Sequence, residues 1–232
     1  MVDHAVVLAW SAAAASTQQR TLAPGESLDW EMIFTLLLLM LGPIKILGPF
    51  VAMTQGSEAV FRRRLATRAF VFSVAAVAIA AAIGRRMLTS FAIPVQVLVL
   101  AGGLILFLVA LQQVLQQYSG THPPRPTEPP TLALAFSPLA FPTIVTPYGI
   151  AAVIIFTALA PDRASSGMLA GLVLLVLGLD WVAMLFAHAV VRWFGAVLQL
   201  FGVVLGVAQV ALGLRIILSS LGQLGVIPII AL

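Results

Sequence analysis

Two ionisable side chains stand in stretches of the sequence that are otherwise apolar. Lys45 lies between Pro43 and Pro49, and Asp180 falls near the middle of the apolar stretch 167–189. At the centre of a membrane helix each would cost about 2.5–3.5 kcal/mol if it faced lipid unpaired, so both are expected to face a protein interior. The chemistry they suggest is an ion pair that acts as a gate or a proton-coupling element, although desolvation can cancel the Coulombic gain of such a pair. The alternative is structural: Lys45 snorkels or caps the carboxyl end of a half-helix, and Asp180 meets a hydroxyl or an indole.

The prolines around Lys45 have a counterpart later in the chain. Leu41-Gly42-Pro43-Ile44-Lys45-Ile46-Leu47-Gly48-Pro49 aligns with the segment from Ala140 to Gly149, so that Pro43 faces Pro142 and Pro49 lies near Pro147. Proline removes a backbone donor and clashes with the preceding turn, so paired prolines should interrupt a helix. In lipid the freed carbonyls need partners, and such a break is tolerated where it is buried in protein or lines a wet cavity. Thr143, Thr146 and Tyr148 supply hydroxyls at the second break, either for a small polar solute or to repair the backbone. The residues expected to line a substrate cavity are Pro43, Lys45, Gly48, Pro142, Thr143, Thr146, Tyr148, Gly149 and Asp180. Kinked packing helices with no site are the plainer reading of the same prolines.

The elements that must position these groups follow from composition. Of 232 residues, 61% are hydrophobic and only 9% are charged, whereas a globular domain carries about a quarter charged. Mean hydropathy is +1.11. A bilayer core of about 30 Å needs roughly 20 mainly apolar residues per helix, and such stretches fall at about 31–53, 69–88, 95–116, 135–160, 167–189 and 195–219. The fold expected is therefore an all-α membrane protein of six transmembrane helices, with the first and fourth broken at prolines. Val97, Leu98, Leu100 and Gly102 coincide with Val197, Leu198, Leu200 and Gly202 at a constant offset. Together with the proline correspondence this predicts two inverted three-helix repeats, because a repeat with an odd number of spans enters from the opposite side. Broken helices in matching halves point to a transporter's central site.

The organisation expected is an external extension over 1–30, a first repeat over 31–117, a proline-rich cytoplasmic linker over 118–133, a second repeat over 134–220 and a short tail over 221–232. The apolar stretch Ala5 to Ala15 lacks a basic leader, which favours an extension or surface helix over a cleaved signal. Arg62, Arg63, Arg64 and Arg68 flank the first two spans, and by the positive-inside rule their connection is placed in the cytoplasm with both termini outside. Gly102-Gly103 and the Gly202 and Gly206 pair are read as packing glycines, Gln199 and Gln209 as amides bridging helices, and His188 and Arg192 as interfacial anchors.

The chain has no cysteine and only three scattered histidines, so no zinc constellation or thiol chemistry is expected. No nucleotide fingerprint or Ser-His-acid arrangement is present, and the chain is not expected to be an enzyme or to carry a cofactor. The pI near 10.7 reflects few ionisable groups and sets orientation; no nucleic-acid partner is expected. The partners expected are the lipid bilayer, a small-molecule substrate, and a homo-oligomer or larger membrane complex.

At these residues the chain resembles the MarC family of bacterial integral membrane proteins, also classed as six-helix neutral amino acid transporters. The resemblance extends from about Phe34 to Leu221. It rests on the Gly42-Pro43 to Phe50 break, the Ala101-Gly102-Gly103-Leu104-Ile105-Leu106-Phe107 run, the Pro138-Leu139-Ala140-Phe141-Pro142 to Gly149-Ile150 break, and Gly202. It implies transport of a small neutral solute across a bacterial inner membrane. Members usually begin the first break with Asn-Pro and continue to Gly-Asn, where this chain has Gly42-Pro43 and Lys45-Ile46. An arginine three residues before the conserved glycine is replaced by Val99 and Gln199, and a Gly-Pro-Gly pattern by Thr146-Pro147-Tyr148. The polar chemistry around the prolines is thus this chain's own, and a non-transporting accessory subunit on the same scaffold is the alternative.

Overall fold

The computed structural model describes residues 30–118, 131–160 and 162–226. The N-terminal extension, most of the proline-rich linker and the last residues of the tail lie outside the described residues. Those described are helical, with no strand among them. Helix α1 runs Trp30–Leu41, α2 Ile44–Met53, α3 Ala59–Ser90 and α4 Val95–Tyr118; α5 runs Pro147–Leu159 and α6 Arg163–Gln223. Between α4 and α5 lie a single 3-10 turn, Leu132–Ala135, and a wide-turned segment, Phe136–Ile144.

Five helices are long and apolar enough to cross a membrane, and a sixth span results if the segment Leu132–Ile144 and α5, bent by 64°, count as one. Outward faces carry large apolar side chains, among them Phe72, Ile79, Leu108, Phe186 and Leu200. So much exposed apolar surface suits a lipid surround and would aggregate in water. This is a multi-pass membrane protein.

The basic cluster occupies a helix rather than a loop. Arg62 to Arg68 sit in the first turns of α3, and the turn proper is Thr54 to Glu58. Arg, Leu and Ala are strong helix formers, so α3 continues past the apolar stretch. The helical run α6 contains two spans, Arg163–Gly195 and Val197–Gln223. A straight helix of 61 residues would be about 90 Å long, and the contacts require a reversal. His188 meets Phe50 in α2, whereas Gln209 reaches back to Leu39 in α1. The chain therefore turns around where the first of these spans gives way to the second.

The first span is central. Leu37, Leu41, Ile46 and Phe50 are buried against Leu65, Ala66 and Ala69 of α3, Leu139 and Ile144 of the bent segment, and Leu177, Met184 and Ala187 of α6. A second cluster joins Met40, Leu106, Tyr148 and Ala152, with Leu212 and Ile216 packed on it. Trp181 is fastened to α3 by its indole, which donates to Thr67 Oγ1 at 3.3 Å.

Helix α4 lies antiparallel to the last span, and small residues set their separation. A Cβ on Gly103 would stand 2.6 Å from Ile216 Cγ2, one on Gly206 3.0 Å from Val114 Cγ2, and one on Gly213 2.7 Å from the backbone nitrogen of Phe107. Gly202, expected to pack, has open space where its Cβ would be. Of these three glycines, Gly213 meets the neighbouring backbone most closely, and the sequence pattern did not single it out. Because backbone cannot move aside, Gly213→Ala is expected to destabilise the bundle by about 1–3 kcal/mol, read as a lowered midpoint in detergent unfolding, while Gly202→Ala should leave the midpoint unchanged or raise it.

Helix α6 begins at an Asp162 cap whose side chain accepts from Ser165 N at 3.1 Å. Hydrogen bonds from Ser165 hold the Asp162 carboxyl below the usual carboxylate range. The cap's contribution is therefore fully present above the unfolded-state value and lost as pH falls through the lower folded-state value. Amide exchange in the first turn of α6, corrected for intrinsic rate, should accelerate in that acidic window; in an Asp162→Ala variant it should already be fast at neutral pH.

Candidate functional site

Each interruption begins with a proline. Residues before proline are pushed out of the α region: Ser137 (φ −133°, ψ 131°) before Pro138, Phe141 (φ −134°, ψ 129°) before Pro142, and Thr146 (φ −78°, ψ 153°) before Pro147 are all extended. The second interrupted span therefore stops at Ile144 and restarts at Pro147, which occupies a first-turn position where its missing N–H is no loss. Thr146 caps the new helix, its Oγ1 accepting from Gly149 N at 3.1 Å. Thr143 Oγ1 donates to the Pro138 carbonyl at 2.7 Å, so that hydroxyl repairs its own segment.

The first interruption is gentler. Gly42 N still donates to the Leu38 carbonyl at 2.9 Å, helices α1 and α2 continue as one span from Trp30 to Met53, and Pro49 lies inside α2 without ending it. A Cβ on Gly42 would overlap the Leu38 carbonyl oxygen, which requires glycine there. In a continuous helix the Leu39 carbonyl would bond the nitrogen of residue 43, but Pro43 has no N–H to give. Gln209 fills the gap from the last span, donating to Leu39 O at 2.7 Å. Thr146 Oγ1 reaches the next carbonyl, Met40 O, at 3.5 Å. Two carbonyls at the break of the first span are thus met by side chains from the sixth and fourth.

These repairs bring the two interruptions together. Lys45 Nζ donates to Tyr148 Oη at 3.3 Å and lies 5.1 Å from the centroid of its ring, a cation–π approach. Tyr148, Thr146 and Gly149 are buried, and Lys45 is half-buried. Asp180 is 1% exposed and shares a stripe of α6 with Val173, Leu177, Met184 and Ala187. Lys45 and Asp180 interact electrostatically, yet neither carboxylate oxygen of Asp180 has a hydrogen-bond partner. The ammonium is given to Tyr148 rather than to the carboxylate, so the two charges are near neighbours without a shared hydrogen bond.

The chain matches the family model described as MarC family integral membrane protein over residues 30–224. It belongs to the MarC family. No curated protein and no solved structure matches it. The matched range takes in every span of this MarC protein and both interruptions.

Among the residues expected to line a cavity, the structure collects Lys45, Thr146, Tyr148 and Gly149 at one junction, with half-buried Pro43 at its edge and Asp180 coupled to it. Pro142 and Gly48 are exposed, and Gly48 has nothing within 4 Å of its missing Cβ. The alignment of Pro43 with Pro142 also differs from their roles: the residue that restarts the later helix, as Pro43 precedes α2, is Pro147. Gln209 bridges helices as expected, whereas Gln199 is exposed. His188 is turned inward, its ring edge-on to Phe50 at 6.4 Å. Leu39 and Met40 were missed, because a carbonyl acceptor has no signature in residue type. The available signal was the missing N–H four residues beyond Leu39.

Proposed function

We propose that this MarC protein is a secondary transporter of a small neutral solute of the amino acid class, binding where the two interrupted helices meet, in a bacterial inner membrane with both termini outside. The observation that carries this reading is the junction itself. An ammonium and a buried carboxylate stand there without satisfying one another, and a zwitterionic amino acid offers a carboxylate to the first and an ammonium to the second. The proposed architecture is two inverted three-helix repeats that rock around this junction to alternate access. It draws support from the matching interruptions in the first and fourth spans and from the bridge of Lys45 to Tyr148.

The test is uptake of labelled glycine and alanine into proteoliposomes, against empty vesicles and against Asp180→Asn. Saturable uptake that falls more than about tenfold in the variant, the equivalent of one lost charged contact of about 1.4 kcal/mol or more, is the expected result. No uptake from folded, inserted protein would remove the amino acid reading. It would leave the alternative, a non-transporting subunit in a homo-oligomer or larger membrane complex, which the near-complete burial of Tyr148 favours.

A further inference from the structure

A cavity of about 490 Å³ lies far from the junction, at one end of the bundle. It forms where α3 ends, α4 begins, α5 ends and α6 begins, so four span ends surround it. Arg85 and Arg163 bring two guanidiniums to its wall and Asp162 one carboxylate. Two guanidiniums against one carboxylate give the wall a formal charge of +1, and the carboxylate also accepts from the backbone of Ser165. Leu88 and Ile93 give it an apolar side, and their chain neighbours Met87 and Phe91 are 49% and 68% exposed.

We propose that this cavity binds the phosphate of an anionic phospholipid headgroup, with Arg85 and Arg163 as its ligands. Guanidinium and phosphate match in geometry and can bond through two parallel N–H···O contacts. The volume falls within the range of about 300–1,000 Å³ that small-ligand sites occupy. The position at the ends of spans is where a headgroup sits, and its acyl chains would take a path over the exposed apolar side chains of the same segment, Met87 and Phe91. That path favours a lipid over a free phosphate ester, and the net positive charge favours an anionic headgroup over a zwitterionic one. The proposal is independent of what the junction transports.

The experiment is calorimetric titration of the full chain in detergent with short-chain phosphatidylglycerol, short-chain phosphatidylcholine and glycerol phosphate. Phosphatidylglycerol should bind about tenfold more tightly than either, and each of Arg85→Gln and Arg163→Gln should weaken it about tenfold, as expected for one charge-assisted contact. Arg86→Gln, altering an exposed neighbour that does not line the cavity, should change nothing. Raising salt on the unmodified protein should reduce the preference, a readout that needs no variant. Equal binding of phosphatidylcholine, equal binding of glycerol phosphate, or undiminished phosphatidylglycerol binding by both arginine variants would each overturn the assignment.

Discussion

Lys45→Met alone should destabilise the bundle by about 2–3 kcal/mol, and adding Asp180→Asn should recover most of that loss. Breaking a buried ion pair by removing one partner typically costs about 3–5 kcal/mol, because an uncompensated charge stays behind. Here the two groups share no hydrogen bond, which places the expected cost at or below the lower end of that range. Asp180 lies almost wholly out of solvent among Leu177, Met184 and their neighbours, and with Lys45 gone its nearest compensating charge is lost. Asp180→Asn alone leaves Lys45 its hydrogen bond to Tyr148 and the face of that ring and removes a carboxylate whose oxygens accept nothing, so its cost should be smaller than that of Lys45→Met. A double-mutant cycle in detergent unfolding measures this coupling directly. Additive losses would show that the pair does not interact, and would detach Asp180 from the junction. If Asp180→Asn gains stability while losing uptake, the charge is retained for function at a cost to the fold.

Much of the scaffold was legible because lipid leaves few solutions. With backbone groups obliged to pair internally, apolar runs of about 20 residues become helices; five expected spans meet a helix, and a sixth does if the bent pair counts as one, although the second begins at Ala59 and the fifth runs Arg163–Gly195. What composition could not place were positions decided by packing. Gly202 carries the family-like pattern yet faces open space, whereas Gly213, inconspicuous in sequence, abuts the backbone of Phe107. The first turns of α3 show a similar limit: arginines mark a membrane surface but do not end a helix there.

The junction was half legible. Lys45, Thr146, Tyr148 and Asp180 stood out as polar groups in apolar surroundings, and burial made them informative. Pro142 and Gly48 stood out only by residue type, and both are exposed. The alignment of prolines says less than their local sterics, since a proline's effect falls on the residue before it and on the carbonyl four residues back. Applied to Pro43, that rule identifies the Leu39 carbonyl as a group in need of a donor. Applied to Pro147, it identifies Thr146 as the residue forced to extend.

Gly149→Val should separate the two interruptions and abolish uptake, whereas Gly48→Ala should leave uptake intact and raise stability by about 0.5–1 kcal/mol. Any Cβ at Gly149 would stand 2.6 Å from Leu41 Cδ2 and 2.9 Å from Thr146 Oγ1. The valine must therefore displace the buried Leu41 side chain at the end of α1 and crowd the Thr146 hydroxyl that caps α5. Overpacking of this kind costs about 1–3 kcal/mol, and loss of a threonine cap about another 1 kcal/mol. Geometry suffers as well, because the same displacement moves Thr146 from Met40 and Tyr148 from Lys45. Gly48 has no such neighbours, so alanine there only removes a flexible residue from a helix interior. Uptake and unfolding midpoints of both variants decide the matter. Intact uptake in Gly149→Val would mean that contact between the interruptions is structural repair alone, and the binding site would have to be sought elsewhere in the bundle. Lost uptake in Gly48→Ala, with stability gained, would restore the exposed face of α2 to the solute's path.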